Sequence, residues 1–374
     1  MSFTLLGRDP ASRGRLGELR LRHATVSTPV FMPVGTLATV KALEPEDIRE
    51  LGFRLSLVNA YHLWQRPGLD VLRVFDGVHR FMNWDGAVLS DSGGFQVFSL
   101  RSLGKITEEG AAFRSHLDGR PLFLTPEVSA EIQVAIDSDV VMAFDECAPY
   151  PCDESYVAEA MRRSARWTER SLRWFRANGR AENLFFGIVQ GGMVAKLRAE
   201  SADRVTGLAC DGYAVGGLSV GEPRDLMVEV LEASTALLPE DRPRYLMGVG
   251  TPLDIIDAVV QGVDMFDCVY PTRMARHGVA FARTGKIRLR NAAHRLDDGP
   301  LDPECACSTC RSYSRAYVHH LFRSRELTAW TLVSRHNLAV YARLMSEIRA
   351  ALPTGSMAQL REAWAGWNEE GTER

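Results

Sequence analysis

The strongest constraint on the fold of this chain is one arrangement that the sequence repeats. A short run of apolar, β-branched or aromatic residues is followed by a polar or glycine-rich tip and then by a longer helix-like stretch. Uninterrupted apolar strands that alternate with helices predict βα units and a parallel sheet. The runs are AVLS before Asp91, DVVMAF before Asp145, NLFFGIV before Gln190, GYAV before Gly216, RYLMGV before Gly250 and VDMF before Asp267, with RLSLV before Asn59 as an earlier candidate.

The helical stretches between these runs carry start signals. LTPEVSAEIQVAI places Thr125 at the N-cap and Pro126 at the first helical position, and GTPLDIIDAVVQG repeats the pattern with Thr251 and Pro252. An amphipathic helix is predicted to begin at Asp153. The chain therefore alternates strands and helices over most of its length.

A doubly wound sheet and a (β/α)8 barrel both fit this alternation, and the strand ends favour the barrel. Functional groups of barrels come from the C-terminal ends of several strands, where the polar tips lie here. No G-x-G-x-x-G motif follows the first strand, so nothing indicates dinucleotide binding. We predict an α/β fold, a TIM (β/α)8 barrel in a single domain over residues 1–374. We also expect a short antiparallel β cap over the first 35 residues or so, and a basic, cysteine-bearing insertion near the C-terminal end, at about 273–340.

The composition is that of a globular protein with an uneven distribution of charge. No apolar run approaches the roughly 18 residues of a membrane span, and the N-terminus lacks a signal-peptide pattern. Both features favour a soluble, cytoplasmic protein. The formal net charge is −3, yet residues 273–325 hold eleven Lys or Arg and four acids, a local charge of +7. This segment is predicted to bind phosphate groups.

Three of the seven cysteines are crowded into the stretch CACSTC, as Cys305, Cys307 and Cys310. An odd number of cysteines with such crowding favours a metal site over disulfides. With one histidine, three thiolates complete a closed tetrahedral Zn²⁺ shell, which is structural because no position remains for substrate. His336 in VSRHNLAVY, at a predicted helix start, is one candidate for the fourth ligand. The other candidates are His294, His319 and His320.

The polar strand ends suit a site that binds a planar ring and uses carboxylates. One carboxylate can attack an anomeric carbon to form a covalent glycosyl intermediate while a second transfers protons. Backbone beside Gly216 and Gly217 can read the edge of a base, and Phe95 or Met247 can cover its faces. Asp91 alone, in LSDSGGFQ, would fit an ordinary turn after a strand. The coincidence of polar groups at all these strand ends favours a catalytic site.

Ten stretches in one order, from residue 29 to about 341, resemble the tRNA-guanine transglycosylases in their bacterial form. The resemblance implies a TIM barrel with a zinc-containing insertion. It also implies that guanine at the wobble position (34) of tRNAs with GUN anticodons is exchanged for a 7-deazaguanine in queuosine biosynthesis. The stretches are PVFMPVGTLATVKAL, NAYHLWQRPG, SDSGGFQVFSL, VMAFDECAPYP, FGIVQGG, DGYAVGGLSVGEP, RYLMGVGTP, DMFDCVYPTRMARHG, GPLDPECACSTCRSYSRAYVHHLF and RHNLAVY.

The resemblance assigns roles to residues at matching positions. Asp267 is expected to be the nucleophile that attacks C1′ of the ribose, and Asp91 the general base that deprotonates the incoming base. The expected base-binding residues are Ser92, Gly93, Gly94, Phe95, Asp145, Gln190, Gly217, Leu218 and Met247, with Phe95 and Met247 as the stacking pair. The expected RNA-binding residues are Gly248, Val249, Gly250, Thr251, Pro252, Leu253, Asp254, Thr272, Arg273, Met274, Ala275 and Arg276. The zinc ligands carry over as Cys305, Cys307, Cys310 and His336.

The resemblance also bears on the incoming base and on assembly. Bacterial members take preQ1 (7-aminomethyl-7-deazaguanine), and Val220 matches the bacterial form where eukaryotic members, which take queuine, have glycine. Gly192 lies where a serine is common and Ala60 where a threonine is common, so the exact base is less firmly predicted than the reaction. Family members are typically homodimers.

Two other classes of protein remain as alternatives. A retaining glycosidase barrel would also use paired carboxylates but would not need a zinc-bearing basic insertion. A non-catalytic tRNA-binding accessory subunit would bind tRNA without exchange, and the presence of both Asp91 and Asp267 argues against it. A DNA-modifying relative is a weaker third alternative.

Overall fold

The computed structural model describes residues 2–94 and 104–367, whose strands fall into four sheets. In chain order the described strands are β1 (Ser2–Arg8), β2 (Arg15–Arg20), β3 (Thr25–Thr28), β4 (Val30–Met32), β5 (Leu55–Val58), β6 (Ala87–Ser90), β7 (Lys105–Ile106), β8 (Ala111–Arg114), β9 (Pro121–Leu124), β10 (Val140–Met142), β11 (Leu184–Val189), β12 (Gly212–Val215), β13 (Arg244–Leu246), β14 (Met265–Asp267), β15 (Val279–Ala282) and β16 (Gly285–Arg288). The described helices are α1 (Pro45–Glu50), α2 (Ala60–Gln65), α3 (Leu69–Val74), α4 (Val78–Met82), α5 (Pro126–Ile136), α6 (Glu154–Asn178), α7 (Ala195–Thr206), α8 (Arg224–Thr235), α9 (Pro252–Val260), α10 (Tyr270–Arg276), α11 (Ser308–Ser312), α12 (Arg315–Ser324), α13 (Thr328–Ala351) and α14 (Met357–Ala363).

Eight of the described strands form a closed parallel ring. Seven pair in chain order, as β5, β6, β10, β11, β12, β13 and β14. The eighth, β4, pairs with β14, and a parallel bridge between Val34 and Leu57 joins its extension to β5. Main-chain bonds from Gly35 N to Leu57 O (2.6 Å) and from Leu57 N to Pro33 O (3.0 Å) complete the closure. The TIM (β/α)8 barrel is therefore confirmed, and the doubly wound sheet is excluded.

The first strand of the barrel was predicted wrongly. The first 35 residues were expected to form an antiparallel cap, but the cap comprises β1, β2 and β3 and ends at Thr28. Val30–Met32 is a barrel strand, with Val30 opposite Met265 and Met32 opposite Asp267. The prolines on either side of these three residues concealed the strand, because proline cannot donate to a sheet ladder.

The antiparallel cap covers the N-terminal end of the barrel. Arg15 on β2 donates from Nε to Oδ1 of Asp264 (3.1 Å), just before β14. His23, between β2 and β3, contacts Oδ1 of Asp139 (3.0 Å), just before β10. Because Asp139 and Asp264 precede their strands, the cap closes the end opposite the polar strand tips. The C-terminal end of the barrel is thus the end that can hold the site.

The predicted helix starts are confirmed at both threonine caps. The side chain of Thr125 accepts from the N–H of Val128 (3.2 Å) at the start of α5, and that of Thr251 accepts from the N–H of Asp254 (3.2 Å) at the start of α9. Asp153 is the N-cap of α6 as expected. His336 was expected at a helix start, but it lies in the interior of α13.

The segment after β14 packs on a small apolar core of its own, built from residues such as Ala280, Leu301 and Val318. Asn337 on α13 joins that helix to the residues that directly follow β14. Its Nδ2 donates to the carbonyls of Pro271 (2.9 Å) and Val279 (3.0 Å). In the described ranges, no helix combines the length and hydropathy of a membrane-spanning segment.

Candidate active site and metal cluster

Asp91 is held at the C-terminal end of β6 by the loop that follows β5. The main-chain N–H of Ala60 donates to Oδ1 of Asp91 (2.7 Å), and Nδ2 of Asn59 donates to Oδ2. The contact from Ala60 is made by the main chain. The absence of a threonine side chain at this position therefore leaves the support of the carboxylate intact.

Asp267 ends β14 and is held by one carboxylate oxygen. The hydroxyl of Tyr245 (2.5 Å) and the N–H of Gly248 (2.8 Å) both donate to Oδ1. Among the described residues, no hydrogen bond to Oδ2 is found. Burial raises the pKa of Asp267 above its ordinary value, and the two hydrogen bonds oppose this rise because they favour the ionised form. The geometry fixes one oxygen and leaves the other available for reaction.

Asp145 and Gln190 form a buried pair at the ends of neighbouring strands. Nε2 of Gln190 donates to Oδ2 of Asp145 (2.7 Å). Burial raises the pKa of Asp145 to about 6, and the negative charges of Asp91 and Glu146 act in the same direction. A Cβ atom on Gly94 would lie 2.5 Å from Oδ1 of Asp145, so this position has no room for a side chain.

The glycines after β12 pack directly against Gln190. A Cβ atom would lie 2.7 Å from Nε2 of Gln190 if placed on Gly216, and 2.4 Å from Oε1 if placed on Gly217. Gly217 also has φ +68°, a conformation that favours glycine. The main chain at Gly216 and Gly217 therefore lies directly beside the Gln190 amide, with no side chain between them. We call this place the base slot, because main chain without side chains suits the edge of a flat ring.

The remaining predicted base-binding residues differ in accessibility. Ser92 and Leu218 are buried, and Met247 is partly buried against the core. Gly93 has φ +83° and makes the tight turn that its sequence indicated. Phe95, predicted to stack on the base, lies outside the described residues.

The carboxylates belong to one site, because their charges influence one another. Asp91 raises the pKa of Asp145 and also that of Tyr245, which burial and Asp267 already place well above its ordinary value. In the ring, β4 and β5 separate β14 from β6. Asp267 and Asp91 therefore face each other across the mouth of the barrel, with Asp145 and Gln190 on the same rim.

The two predicted RNA-binding segments flank Asp267 but expose few side chains. Gly248 and Arg273 are exposed, whereas Arg276 is partly buried and donates from Nη1 to the carbonyl of Thr272 (2.8 Å). The exposed and partly exposed members remain candidates for RNA contact. They are Gly248, Thr251, Asp254, Arg273, Met274 and Arg276, while Val249, Gly250, Pro252, Leu253, Thr272 and Ala275 are buried.

The basic segment at 273–325 is only partly neutralised within the protein. Arg315 forms an ion pair with Asp297 (2.9 Å), and Arg283 pairs with Glu347. The exposed arginines of the segment are Arg273, Arg288, Arg290, Arg295, Arg311, Arg323 and Arg325. The excess of positive charge predicted for this segment therefore lies largely on exposed side chains.

The structure brings the four predicted metal ligands together. The ligand atoms of Cys305, Cys307, Cys310 and His336 all lie within 4.8 Å of one another, with 3.2 Å from Nδ1 of His336 to Sγ of Cys310. Nε2 of His336 lies 2.6 Å from the carbonyl oxygen of Phe281, which can only accept a hydrogen bond. This contact places the N–H on Nε2 and turns the Nδ1 lone pair toward the thiols, as a metal ligand requires. The donor set therefore fits Zn²⁺.

The other histidines that were candidates for the fourth zinc ligand lie outside the cluster. Nδ1 of His319 lies 2.7 Å from the carbonyl of Leu289, and His294 pairs with Asp297 (3.6 Å). Neither belongs to the cluster, and nor does His320. His336 was the hardest ligand to choose from sequence because 25 residues separate it from Cys310.

Sequence reasoning missed residues that hold the carboxylates, and also Arg198, which bonds main-chain carbonyls at the ends of β11 and β12. Tyr245 lies within RYLMGV, where it was taken as part of an apolar strand, and Arg198 lies in a helix without any motif. Asn59 was noted only as the end of a strand. The available signal was the position of Tyr245. It lies on β13, two residues before Met247, which directly follows the strand, and residues two apart in a strand point to the same face.

Fold and site together define a (β/α)8 barrel that carries buried and partly buried carboxylates at the C-terminal ends of its strands, with a Cys3His cluster in the segment that follows β14. The family model for queuine tRNA-ribosyltransferase matches residues 9–369. Queuine tRNA-ribosyltransferase of Pelotomaculum thermopropionicum is 52% identical over 362 residues, covering 97% of each chain. That of Thiobacillus denitrificans is 54% identical over 352 residues, covering 94% of this chain and 95% of its own. The chain belongs to the queuine tRNA-ribosyltransferase family, whose members are tRNA-guanine transglycosylases, that is, pentosyltransferases.

Proposed function

We propose that this enzyme exchanges guanine at position 34 of tRNAs with GUN anticodons for preQ1, by two displacements at C1′ of the ribose. The observation that carries the proposal is the geometry of Asp267. Tyr245 and Gly248 hold one of its oxygens, and the other makes no hydrogen bond to the described residues. This arrangement suits a nucleophile, and a second carboxylate, Asp91, lies across the barrel mouth to handle the proton.

In the first displacement, the carboxylate of Asp267 attacks C1′, the glycosidic bond to guanine breaks, and Asp91 gives a proton to the ring nitrogen of the departing base. A covalent ester between the enzyme and the ribose results, as in retaining glycosidases. The target nucleotide must leave the anticodon loop to reach the strand ends, which takes little energy in a single-stranded loop.

In the second displacement, Asp91 accepts a proton from a ring nitrogen of the incoming base. That nitrogen then attacks C1′, the ester bond breaks and Asp267 is released as a carboxylate. One glycosidic bond replaces another, so no energy source is needed. The hydrogen bonds from Asn59 and Ala60 hold Asp91 in place while its charge changes.

Base recognition is assigned to the buried pair and the base slot. Asp145 offers acceptors to the N–H groups of a guanine-like edge, and Gln190 and the backbone at Gly217 and Leu218 offer further polar contacts. Val220 supports preQ1 as the incoming base, since eukaryotic members, which take the bulkier queuine, have glycine at this position. The N–H of Val220 donates to the buried carboxylate of Glu222 (2.9 Å).

We assign one structural Zn²⁺ per chain to Cys305, Cys307, Cys310 and His336. These four ligands close the shell, so the ion supplies rigidity to the segment and no reactive position. We further propose that residues 273–340 form a zinc-binding insertion within a single barrel domain over 1–374. Its exposed arginines would contact tRNA phosphates, whose recognition fixes the register of the RNA.

Assembly and location complete the proposal. A homodimer is supported by the exposed rings of Tyr313 and Tyr317, which stack 5.4 Å apart on the surface of the insertion. Light scattering on the purified protein tests the mass of the assembly. A cytoplasmic location is proposed because the substrate is tRNA.

The test of the reaction is exchange of labelled guanine into a tRNA whose anticodon begins with G in a U-G-U context. Asp267→Asn is expected to abolish exchange and also the covalent RNA adduct on denaturing gels. Asp225→Asn, at an exposed carboxylate in the first turn of α8, is the matched control and should exchange normally.

Exchange that survives Asp267→Asn would overturn the assignment of the nucleophile. Sugar release without RNA would favour the glycosidase alternative, and tRNA binding without exchange by the wild type would favour an accessory subunit. Exchange into the corresponding DNA but not into tRNA would indicate a DNA-modifying relative. A panel of preQ1, its nitrile analogue preQ0 and queuine identifies the incoming base.

A further inference from the structure

Arg198 on α7 is wholly buried and ties together the ends of two neighbouring barrel strands. Its Nη1 donates to the carbonyl of Val189 (3.0 Å), which ends β11, and to the carbonyl of Gly216 (2.8 Å), which follows β12. Its Nε donates to the carbonyl of Gly192 (2.8 Å). One guanidinium thus fixes three main-chain carbonyls within the part of the rim assigned to base binding.

The bond to Gly216 also determines where the next N–H points. In a planar trans peptide the C=O and N–H groups point in opposite directions. Because the carbonyl of Gly216 points toward Arg198, the N–H of Gly217 is directed away from Arg198. Among the described residues this N–H has no hydrogen-bond acceptor. It is therefore available to a ligand in the slot beside Gln190.

One nitrogen of Arg198 lies beside Gly217 and makes no hydrogen bond to the described residues. Nη2 is buried without a hydrogen-bond partner in the described ranges, and it would lie 3.6 Å from a Cβ atom placed on Gly217. A buried donor left unpaired is destabilising and calls for an explanation. Burial lowers the pKa of Arg198 to about 10, and the nearby Glu222 and Cys147 oppose this shift. The guanidinium is therefore charged at neutral pH.

We propose that Arg198 is a positioning residue for the base slot, which holds the Gly216–Gly217 peptide so that the N–H of Gly217 faces the bound base. The proposal rests on the proposed function, because that function makes a purine-like base the ligand of this slot. Arg198 acts through the backbone. Its loss should therefore weaken recognition of the base while leaving recognition of tRNA unchanged.

The test compares Arg198→Met, Arg198→Lys and the control Arg244→Met in the full-length protein. Arg244 is also a buried arginine, and it donates from Nη2 to the carbonyl of Leu238 (2.7 Å), but it begins β13 at the opposite end of the barrel. The measurements are the KM for the incoming base, the KM for tRNA and the thermal midpoint of unfolding.

Arg198→Met should raise the KM for the base roughly tenfold to a hundredfold, as expected when a binding group is displaced by about 1 Å, with the KM for tRNA unchanged. Arg198→Lys should show a smaller rise, since an ammonium retains the charge but cannot bridge all three carbonyls. Arg244→Met should lower the thermal midpoint and leave both KM values unchanged.

An unchanged KM for the base in Arg198→Met would overturn the proposal, and so would an equal rise in Arg244→Met. If Arg198→Met does not fold, Arg198→Lys decides by the same criterion. Wild-type protein that exchanges no base would refute the proposed function instead. The wild-type assay thus distinguishes failure of the role proposed for Arg198 from failure of the proposed function.

Discussion

The hydroxyl of Tyr245, buried on β13, donates a 2.5 Å hydrogen bond to Oδ1 of Asp267 at the end of the adjacent strand. Burial raises the pKa of Tyr245 well above its ordinary value, with the charge of Asp267 acting in the same direction. The phenol therefore stays protonated and remains a donor to this carboxylate at all physiological pH values.

Tyr245→Phe should slow formation of the covalent RNA adduct without preventing it. A hydrogen bond to a charged group is worth about 1.5–3 kcal/mol, which corresponds to roughly tenfold to a hundredfold in rate. Single-turnover trapping of the adduct measures the effect. Tyr213→Phe is the control, since this buried tyrosine lies on β12 and its hydroxyl bonds the carbonyl of Thr206 (3.4 Å). Adduct formation at the wild-type rate in Tyr245→Phe would show that this bond does not support the reaction.

Asp145→Asn should change how stability depends on pH. Burial raises the pKa of Asp145 to about 6 in the folded protein, against about 3.9 in an unfolded chain. Between these values the folded state holds the proton that the unfolded state has lost. The contribution of Asp145 to the free energy of unfolding is therefore greatest below about pH 4 and falls as the pH rises to about 6.

The difference between wild type and Asp145→Asn should therefore vary across this window, by the order of 2–3 kcal/mol, and stay constant above about pH 7. Denaturant unfolding at a series of pH values measures it. A difference that is the same at pH 4.5 and pH 7 would contradict the raised pKa of this carboxyl group.

Removal of one thiol from the metal cluster should release the zinc. Mass spectrometry of metals is expected to find one equivalent of zinc in the wild type and none in Cys310→Ala, because three ligands no longer close the shell. The affinity for tRNA should fall with it, since the basic segment loses its internal anchor. Cys152→Ala, at a partly exposed cysteine outside the cluster, should keep the zinc. Full zinc content in Cys310→Ala would refute the ligand set.

Two helix caps offer a matched pair for the RNA-binding assignment. Thr125 and Thr251 each accept a 3.2 Å bond from the third residue of a proline-initiated helix. Replacement of either by alanine should lower the free energy of unfolding by about 1 kcal/mol. Only Thr251→Ala should also weaken tRNA binding, measured by filter binding, because α9 begins in the segment beside Asp267. Equal tRNA affinities in the two variants would count against that segment as an RNA contact.

The sequence predicted those parts of the molecule that depend on local pattern. Four of the seven predicted barrel runs lie within one residue of the observed strands at both ends, because continuous apolar runs report burial on both faces. β4 was not predicted, because three residues between prolines are too few to show a strand pattern. Its pairing with β14 is what defines it as a strand. His336 was misplaced because the helix was expected to begin near it, whereas α13 begins eight residues before it, at Thr328.

The residues of the candidate site also divide into those that local sequence pattern predicts and those that it does not. Residues that carry the chemistry follow their strands directly and could be read from the sequence, as Asp91 and Asp267 show. Residues that hold these two carboxylates in place come from other elements, as Asn59 and Tyr245 do. Their contacts are long-range, so no local spacing identifies them.

Closure of the barrel has a consequence for synthesis of the protein on the ribosome. The two proposed catalytic aspartates lie on either side of the junction where β4 pairs with β14 and its extension bridges to β5. The first barrel strand leaves the ribosome long before its partner, so it must wait for more than two hundred residues. A nascent chain can therefore fold part of its wall early but acquires a working site only when the last strand joins the first. A truncated chain ending before β14 would lack Asp267 and could not close the ring.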